Sequence, residues 1–267
     1  GIFKGHTSTG FTVGTDSAVN ANSNNYVAWN WKANGSGSTN NDGNQASVVS
    51  ANQAAGFSIV TYTGTGSYAT YGHGLGVIPE VTLTKSRSAT GDWYFVTTVI
   101  DGSVDYLVLN TTAAAANGSA TASTSSVFYS NYPNNETVVA YNFTSIPGYS
   151  KIGVYTGNSS TNGPFVNTGF KPALVIRKRV TSTADWFVND AKINPINSSA
   201  SGTGLANISL WANTTSADQA SGEVAYGLNI LSNGFKTTTS RNYLNYVGDV
   251  YLYMAFAEAP FKYANAR

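Results

Sequence analysis

Short hydrophobic runs recur along the chain, and several alternate with polar residues at a period of two. The run Val81–Lys85 reads V-T-L-T-K, so Val81 and Leu83 face one side of a strand and the threonines between them face the other. Glycine, asparagine, serine and proline separate such runs at near-regular intervals, and no segment keeps a helical period of 3.6 residues. The pattern predicts an all-β protein with almost no helix, built as a β-sandwich or barrel.

Two long stretches of the chain share this pattern at a constant offset. Pairs of identical residues that stand 93 positions apart include Tyr62 and Tyr155, Gly76 and Gly169, Pro79 and Pro172, Lys85 and Lys178, and Trp93 and Trp186. An offset that holds over about thirty positions indicates an internal duplication. We therefore expect two β-sandwich repeats, at residues 56–147 and 148–267, that superpose at this offset in their first halves.

A shorter strand pattern occurs three times. It is Y-V-A-W-N-W-K at Tyr26–Lys32, V-V-A-Y-N-F-T at Val138–Thr144 and Y-L-Y-M-A-F-A at Tyr251–Ala257. Strands are predicted at Phe11–Val13 and Tyr26–Trp31, with no middle of a repeat between them, so residues 1–34 are interpreted as a truncated N-terminal remnant. Residues 35–55 are rich in Gly, Ser and Asn without an apolar period, and this composition predicts a linker.

The composition excludes several classes of partner. Charged residues make up only 10% of the 267 residues and the formal net charge is +1, which gives no electrostatic footprint for nucleic acid or an anionic membrane. Cysteine is absent, so disulfides and thiol chemistry are excluded. The longest apolar run, Val250–Ala257, is too short to cross a bilayer, and we expect no membrane insertion. Low charge fits a protein that hides surface in an assembly, and it also fits a secreted adhesin.

Few side chains suit catalysis or metal binding. The two histidines are His6 and His73, and the position 93 beyond His73 is Val166, so neither a catalytic triad nor a histidine zinc site is predicted. The acidic residues are scattered, and Asp101 and Asp105 lack the pattern of a calcium loop. We predict no catalytic residue, metal or cofactor, while a glycosidase whose two acids meet only in the fold stays open.

Each repeat contains an Asp-Trp pair, which invites a sugar-binding interpretation. The same pair at the same repeat position is explained more simply by a packing tryptophan, so we expect Trp93 and Trp186 to be largely buried and equivalent. Features that both copies share are interpreted as scaffold. The structural repeat positions are Trp93, Trp186, Pro79, Pro172, Lys85 and Lys178.

Loop aromatics that the two repeats do not share are the candidates for surface recognition. They are Tyr129 and Tyr132 in the first repeat, and Tyr243 and Tyr246 near Arg241 in the second. Tyrosine combined with Asn and Arg on loops suits the hydrated recognition of glycans or proteins.

Six phrases of the sequence together resemble a family of tailed-bacteriophage virion proteins. They cover nearly the whole chain and are Y-V-A-W-N-W-K at Tyr26–Lys32, S-A-N-Q-A-A-G-F-S-I-V-T-Y-T-G at Ser50–Gly64, G-H-G-L-G-V-I-P at Gly72–Pro79, G-Y-S-K-I-G-V-Y-T-G-N at Gly148–Asn158, G-P-F-V-N-T-G-F-K-P-A at Gly163–Ala173, and M-A-F-A-E-A-P-F-K-Y-A-N-A-R at Met254–Arg267. The H-G-L-G turn alone is widespread in phage β-domains, so the specificity lies in the set. The N-terminus departs from the family's pattern, because its first unit is cut down to its two ends.

The resemblance implies tandem lectin-like (concanavalin-type) jelly-roll repeats in a tail or fibre structure. It implies a non-enzymatic structural protein of the virion, made in the host cytoplasm, that acts in assembly and in attachment to a host-surface glycan. Its partners would be other virion proteins and other copies of itself, in the trimers usual for phage fibres. Two alternatives from other classes remain open: a free carbohydrate-binding lectin and a polysaccharide depolymerase.

Overall fold

The computed structural model of this chain describes residues 2–118, 121–193, 209–216 and 227–258. The chain divides into two compact units, Gly1–Lys32 and Ala33–Arg267. Strands dominate the described residues, where the helical elements are two α-helices of four residues each and one short 3-10 turn. The prediction of an all-β protein with almost no helix is therefore confirmed.

The first unit is a small hairpin followed by one helical turn. Strand β1 (Phe3–His6) pairs antiparallel with β2 (Phe11–Val13), and helix α1 (Ser17–Asn20) is capped by the carboxylate of Asp16. The segment Tyr26–Trp31, predicted as a strand, forms no strand. The later copies of its pattern are strands with a neighbour on each side, whereas unit 1 supplies only the β1–β2 hairpin. A strand pattern without such neighbours has no ladder to join.

The second unit contains the remaining strands, in two successive halves. The first half contains β3 (Ser38–Asn40), β4 (Ser47–Asn52), β5 (Phe57–Thr63), β6 (Ala69–Gly72), β7 (Val81–Ser86), β8 (Tyr94–Thr97), β9 (Asp105–Val108), β10 (Ala116–Asn117), β11 (Val127–Ser130) and β12 (Thr137–Phe143). The second half contains β13 (Ser150–Thr156), β14 (Phe165–Asn167), β15 (Pro172–Arg179), β16 (Trp186–Asp190), β17 (Leu210–Trp211), β18 (Leu228–Leu231), β19 (Gly234–Thr237), α2 (Asn242–Asn245) and β20 (Val250–Ala257).

Each half builds one large antiparallel sheet with the same internal strand order. The eight-stranded sheet runs β10-β9-β8-β7-β12-β5-β4-β3, and the five-stranded sheet runs β13-β20-β15-β16-β17. The series β5-β12-β7-β8-β9 thus corresponds to β13-β20-β15-β16-β17. The register corresponds as well, because Val138 pairs with Tyr62 and Ser86, and the residues 93 positions beyond these two both pair with Tyr251.

The offset of 93 does not extend to β6 and β14, the first strands of the two small sheets. Tyr71 of β6 pairs with the buried Phe128, and Val166 of β14 pairs with the buried Phe235. Val166 therefore takes the place of Tyr71. The constant offset of 93 instead predicts that Val166 takes the place of His73. The connection from Tyr71 to Pro79 is two residues longer than the connection from Val166 to Pro172, which shifts the alignment at this point.

The prediction of a linker at residues 35–55 is wrong, because this segment contains β3 and β4. Strand β4 pairs with β5 along its length, and its Val49 is 7% exposed and belongs to the core. Gly43, before β4, lies so close to β6 that a Cβ would stand 2.2 Å from the carbonyl oxygen of Thr70. Strands pair through their backbones with remote neighbours, so Gly, Ser and Asn are compatible with a strand that another strand fixes.

The sheets are layered, and each large sheet has one face covered by a small one. The two-stranded sheet β6-β11 covers the eight-stranded sheet through a core that includes Tyr62, Tyr71 and Phe128. The three-stranded sheet β14-β19-β18 covers the five-stranded sheet through a core that includes Tyr155 and Phe235. We refer to these covered sides as the outer faces of the large sheets.

The inner faces of the two large sheets pack against each other. The Phe95 ring lies 5.1 Å from that of Trp186, and the Phe143 ring lies 6.1 Å from that of Phe256. The indole N–H of Trp186 donates to the carbonyl of Val108 in the other half at 3.1 Å. The two halves therefore share a core instead of forming separate sandwiches.

This shared core makes the two repeat tryptophans unequal. Trp186 is 1% exposed between the sheets, as predicted. Trp93 is only half-buried and stacks on Tyr141 with the ring centres 6.3 Å apart. The expectation that both would be largely buried and equivalent is wrong. Trp186 packs against Phe95 between the two large sheets, whereas Trp93 stacks on Tyr141 and stays half-buried.

Candidate functional site

Each Asp-Trp pair is held by an asparagine at the end of the neighbouring strand. The backbone N–H of Trp93 donates to Asn110 Oδ1 at 2.9 Å, and Asn110 Nδ2 donates to Asp92 Oδ1 at 2.9 Å. The second copy makes the same two bonds, both at 2.8 Å, through Asn213. The carboxylate beside each tryptophan therefore serves the scaffold, which agrees with the packing interpretation of the pair.

The two asparagines lie in similar sequence segments, but these segments do not stand 93 positions apart, so the constant offset does not align them. The segments Leu107–Thr112 and Leu210–Thr215 read L-V-L-N-T-T and L-W-A-N-T-T, and they stand 103 positions apart. The connection between the Asp-Trp pair and the asparagine is ten residues longer in the second half. A search for repeats that allows insertions would have found the pattern.

The two repeat lysines also have matching roles. Lys85 Nζ donates to the carbonyl of Gly91, and Lys178 Nζ donates to the carbonyl of Ala184, both at 2.8 Å. Lys178 is fully buried and donates in addition to the Thr112 carbonyl of the other half at 3.1 Å. Burial lowers the pKa of Lys178 to about 8.

The turn before β7 is packed rather than open. His73 is fully buried, its Nε2 lies 3.0 Å from the carbonyl oxygen of Thr124, and its Nδ1 accepts the N–H of Leu75 at 3.2 Å. Both ring nitrogens are thus engaged, and burial lowers the pKa of His73. Pro79 and Pro172, at matching places before β7 and at the start of β15, are buried as well.

Tyr132 and Tyr243, predicted as unshared recognition residues, occupy matching places in the two halves. The Tyr132 ring lies 6.5 Å from that of Tyr94, and the Tyr243 ring lies 5.5 Å from that of Phe187. Tyr94 and Phe187 are themselves related by the offset of 93. The Tyr132 hydroxyl also donates to Thr84 Oγ1 at 3.1 Å. By the criterion that shared features are scaffold, these two tyrosines support the fold.

The remaining predicted recognition residues of the second half lie around helix α2. Tyr246 is 49% exposed, and the Arg179 guanidinium carbon lies 5.6 Å from its ring centre. Arg241 is exposed and precedes the helix. Tyr243 and its neighbours contact the five-stranded sheet, whereas Tyr132 contacts the eight-stranded sheet. The structure therefore does not bring the five predicted residues into one site.

An exposed aromatic surface lies on the outer face of β8 and β9. Alternation buries Phe95 and Leu107 on the inner face, and it places Tyr94 and Tyr106 outside. Tyr94 and Tyr106 are 38% and 36% exposed, with ring centres 6.3 Å apart at 60°, and Tyr132 completes the group beside Tyr94. We term Tyr94, Tyr106 and Tyr132 the tyrosine surface.

The matching region of the second half is closed. Phe187, in the place of Tyr94, is 2% exposed and lies against Tyr243 and Trp211. The strand register puts Ser209, which is fully buried, in the place of Tyr106. An open aromatic face at this position is therefore not a requirement of the duplicated fold, and its exposure distinguishes the first half.

A cleft beside the tyrosine surface contains Tyr129. It is also lined by Ile78, Val96 and Val104, and Ile78 is 56% exposed. Val96 pairs with Tyr106, so their side chains lie on the same side of the sheet. The cleft thus continues the tyrosine surface and brings Tyr129 close to it, an association that the sequence did not indicate.

The tyrosine surface is apolar in its ring faces and acidic at its margin. Burial raises the pKa of Tyr132, the bond to Thr84 opposes this, and the nearby carboxylates of Glu136 and Asp92 add to the rise. Ring faces stack on the C–H faces of sugars or on other flat groups, and hydroxyls and carboxylates accept or donate hydrogen bonds at the edges. This combination suits the recognition of a neutral polar ligand.

Among the residues that the structure describes, no three His, Cys, Asp or Glu side chains are grouped so that they could hold a metal ion. No helix within the described ranges is both long and apolar enough to span a bilayer.

The family model described as "Domain of unknown function (DUF7483)" matches residues 2–260. The chain belongs to this family. No curated protein and no solved structure matched it. The DUF7483 match includes both halves of the duplication, so the shared core between the two large sheets lies inside one family domain.

Proposed function

We propose that this DUF7483 protein is a non-enzymatic structural protein of a tailed-bacteriophage particle, and that its tyrosine surface attaches the particle to a host-surface glycan. The virion setting, with its tail or fibre location and its partners among other virion proteins and other copies of the chain, rests on the sequence phrases that resemble that class. The attachment role rests on the geometry. The observation that carries it is an exposed tyrosine group in the first half where the second half is closed.

We further propose that the two halves descend from one lectin-like jelly-roll sandwich. The common strand order, the common register around Val138 and Tyr251, and the repeated Asn clamps and Lys bonds support a common ancestor. In this proposal the second half became a packing partner through Trp186, and the first half retained an open face for a ligand.

The surface has the features of a small binding site. Its rings are fixed by the sheet and by the Tyr132–Thr84 bond, so little side-chain freedom is lost when a ligand stacks on them. The carboxylates at its margin would repel an acidic sugar, which favours neutral or amino sugars.

Glycan binding is tested with the full chain on an array of neutral, amino and acidic bacterial surface glycans. We expect binding to neutral or amino sugars, and we expect Tyr94→Ala and Tyr106→Ala each to weaken it by about tenfold or more, which corresponds to ~1.4 kcal/mol. Tyr106→Phe keeps the ring face and should bind nearly as well. Tyr68→Ala removes an exposed tyrosine on a different loop and serves as the matched control.

Three results would contradict parts of this proposal. Binding that survives both alanine substitutions would place the ligand elsewhere. Loss of viscosity of a bacterial polysaccharide on incubation with the chain would favour a depolymerase. Absence of the chain from an electron-microscopy map of the particle that encodes it, together with glycan binding, would favour a free lectin.

A further inference from the structure

Strand β13 is a long edge strand at one side of the five-stranded sheet. It has seven residues, whereas the eight-stranded sheet ends in β3 with three residues and β10 with two. Short edge strands limit unwanted pairing, and long ones are templates for another strand. Among the described residues, no strand pairs with the side of β13 that faces away from β20.

The hydrogen bonds at the two ends of β13 show which of its residues bond to β20. The N–H of Gly157 donates to the Asp249 carbonyl, and the Tyr149 carbonyl accepts the N–H of Ala257, so the odd-numbered residues bond to β20. The N–H and C=O groups of the even-numbered residues therefore point away from the sheet.

Among the described residues, hydrogen bonds from the chain itself cap only the first part of this edge. The N–H of Ser150 donates to the carbonyl of Ile146, and the N–H of Ile152 donates to Ser145 Oγ at 2.9 Å. The Ile152 carbonyl and both backbone groups of Val154 and Thr156 have no partner among the described residues. Val154 is also 37% exposed.

In the first half, the edge that corresponds to the free edge of β13 pairs with another strand. Its matching strand β5 is covered by β4, which runs antiparallel to it. Thr61, the residue 93 positions before Val154, is opposite Val48 of β4. In the second half β12 precedes β13, but it is already the central strand of the other sheet and cannot cover β13.

We propose that β13 pairs antiparallel with β13 of a second copy of this chain, about a two-fold axis beside Val154. The pairing joins two five-stranded sheets into one continuous sheet. Antiparallel pairing of identical strands is self-complementary, so a closed dimer results. The register opposes Val154 to itself and Ile152 to Thr156, and it provides about four backbone hydrogen bonds while each Ile152 N–H keeps its bond to Ser145.

The side chains in this register are compatible with the contact. Val154 meets its own copy, so apolar surface covers apolar surface. Lys151, the charged residue of the strand, would stand opposite the partner's Gly157, so no like charges face each other. The contact is smaller than a standard interface, so we expect a dissociation constant of about micromolar order.

The absence of cysteine allows a cross-linking test without background. In an antiparallel hydrogen-bonded pair the opposed Cα atoms are about 5.5 Å apart, which suits a disulfide. We expect Val154→Cys to form disulfide-linked dimers under mild oxidation. Thr61→Cys, at the matching position under β4, should not, and Val77→Cys, on an exposed loop, reports random collision. If Val154→Cys forms disulfide-linked dimers no faster than Val77→Cys does, the proposal is overturned.

The mass of the full chain is measured in parallel by sedimentation over a range of concentrations. Val154→Pro removes only an outward N–H, which leaves the bonds to β20 intact, and Val154→Lys puts two like charges at the axis. We expect each to raise the dimer dissociation constant by at least about tenfold, and Val154→Thr to leave it nearly unchanged.

Two mass results overturn the proposal. One is a wild-type chain that stays monomeric at a protein concentration about a hundred times the expected micromolar dissociation constant. The other is a trimer, or any assembly, whose mass is the same in Val154→Lys as in the wild type. The proposal does not depend on the tyrosine surface, because β13 lies in the other half and glycan binding is measured separately.

Discussion

Replacing each repeat tryptophan with alanine measures how strongly the two halves are held together. Trp186 is 1% exposed between the sheets and donates its indole N–H to the Val108 carbonyl, whereas Trp93 is half-buried and stacks on Tyr141. The duplication makes the pair a matched comparison. The residue type, the place in the repeat and the bond from the backbone N–H to an asparagine are the same in both.

The difference in cost follows from burial and from the lost hydrogen bond. Core aromatic residues replaced by alanine cost about 3–5 kcal/mol, and a buried carbonyl left without a donor adds about 1–3 kcal/mol. Partial relaxation of the cavity reduces the sum, so we expect Trp186→Ala to lower the free energy of unfolding by about 4–5 kcal/mol. Trp93→Ala loses part of one ring contact and, among the described residues, no indole hydrogen bond, so we expect it to lower the free energy of unfolding by about 1–2 kcal/mol.

The measurement is urea unfolding followed by far-ultraviolet circular dichroism, which does not depend on tryptophan emission. The wild type is expected to unfold in one transition because the halves share a core. Trp186→Ala should also lower the m-value or separate the transition into two, since it weakens the contact between the sheets. Equal losses for the two variants, or a larger loss for Trp93→Ala, would refute the assignment of Trp186 as the residue that joins the halves.

Three further outcomes are expected from the same unfolding measurements. Asn110→Ala and Asn213→Ala should each lower the free energy of unfolding by about 1–2 kcal/mol, because the backbone N–H of a tryptophan and the carboxylate of an aspartate lose the asparagine that both bond to. A decrease below ~0.5 kcal/mol would show that these asparagine bonds are dispensable. The folded-state pKa of His73 lies below its ordinary 6.5, so the unfolded chain binds the proton more readily and the free energy of unfolding should fall as pH drops through 6.5. Thr168 stands two residues after Val166, as His73 stands two residues after Tyr71, so His73→Thr copies a non-titrating residue from the second half and should lose that fall. The folded-state pKa of Lys178 is lowered from 10.5 to about 8, so the free energy of unfolding should rise with pH between these values, and a rise that persists in Lys178→Met would contradict its assignment to this lysine.

Several features of this protein could be predicted from the sequence because they depend on local pattern. Alternation such as V-T-L-T-K in β7 predicts a strand whatever it pairs with, and the scarcity of helical periods predicts the near absence of helix. The offset of 93 also identified Lys85 and Lys178 as equivalent. Their equal bonds to the carbonyls of Gly91 and Ala184 follow from one local loop geometry, repeated.

The candidate site was only partly predictable. Tyr129 and Tyr132 were singled out as loop aromatics, but Tyr94 and Tyr106 were not, because in the sequence they are ordinary outward positions of two strands. Whether an outward position is open depends on what the rest of the chain places over it. Phe187 occupies the place of Tyr94 in an equivalent strand and is closed by Tyr243 and Trp211.

The sequence by itself determined the strand content, the duplication and the shared scaffold positions of this protein. Only the tertiary structure decided that residues 35–55 are strands, that Trp186 is buried while Trp93 is not, and that β13 is left at an edge while β5 is covered. The physical reason is the range of the interactions. Side-chain alternation and turn residues act within a few positions, whereas sheet pairing and the packing of one sheet on another join residues that are far apart in the chain.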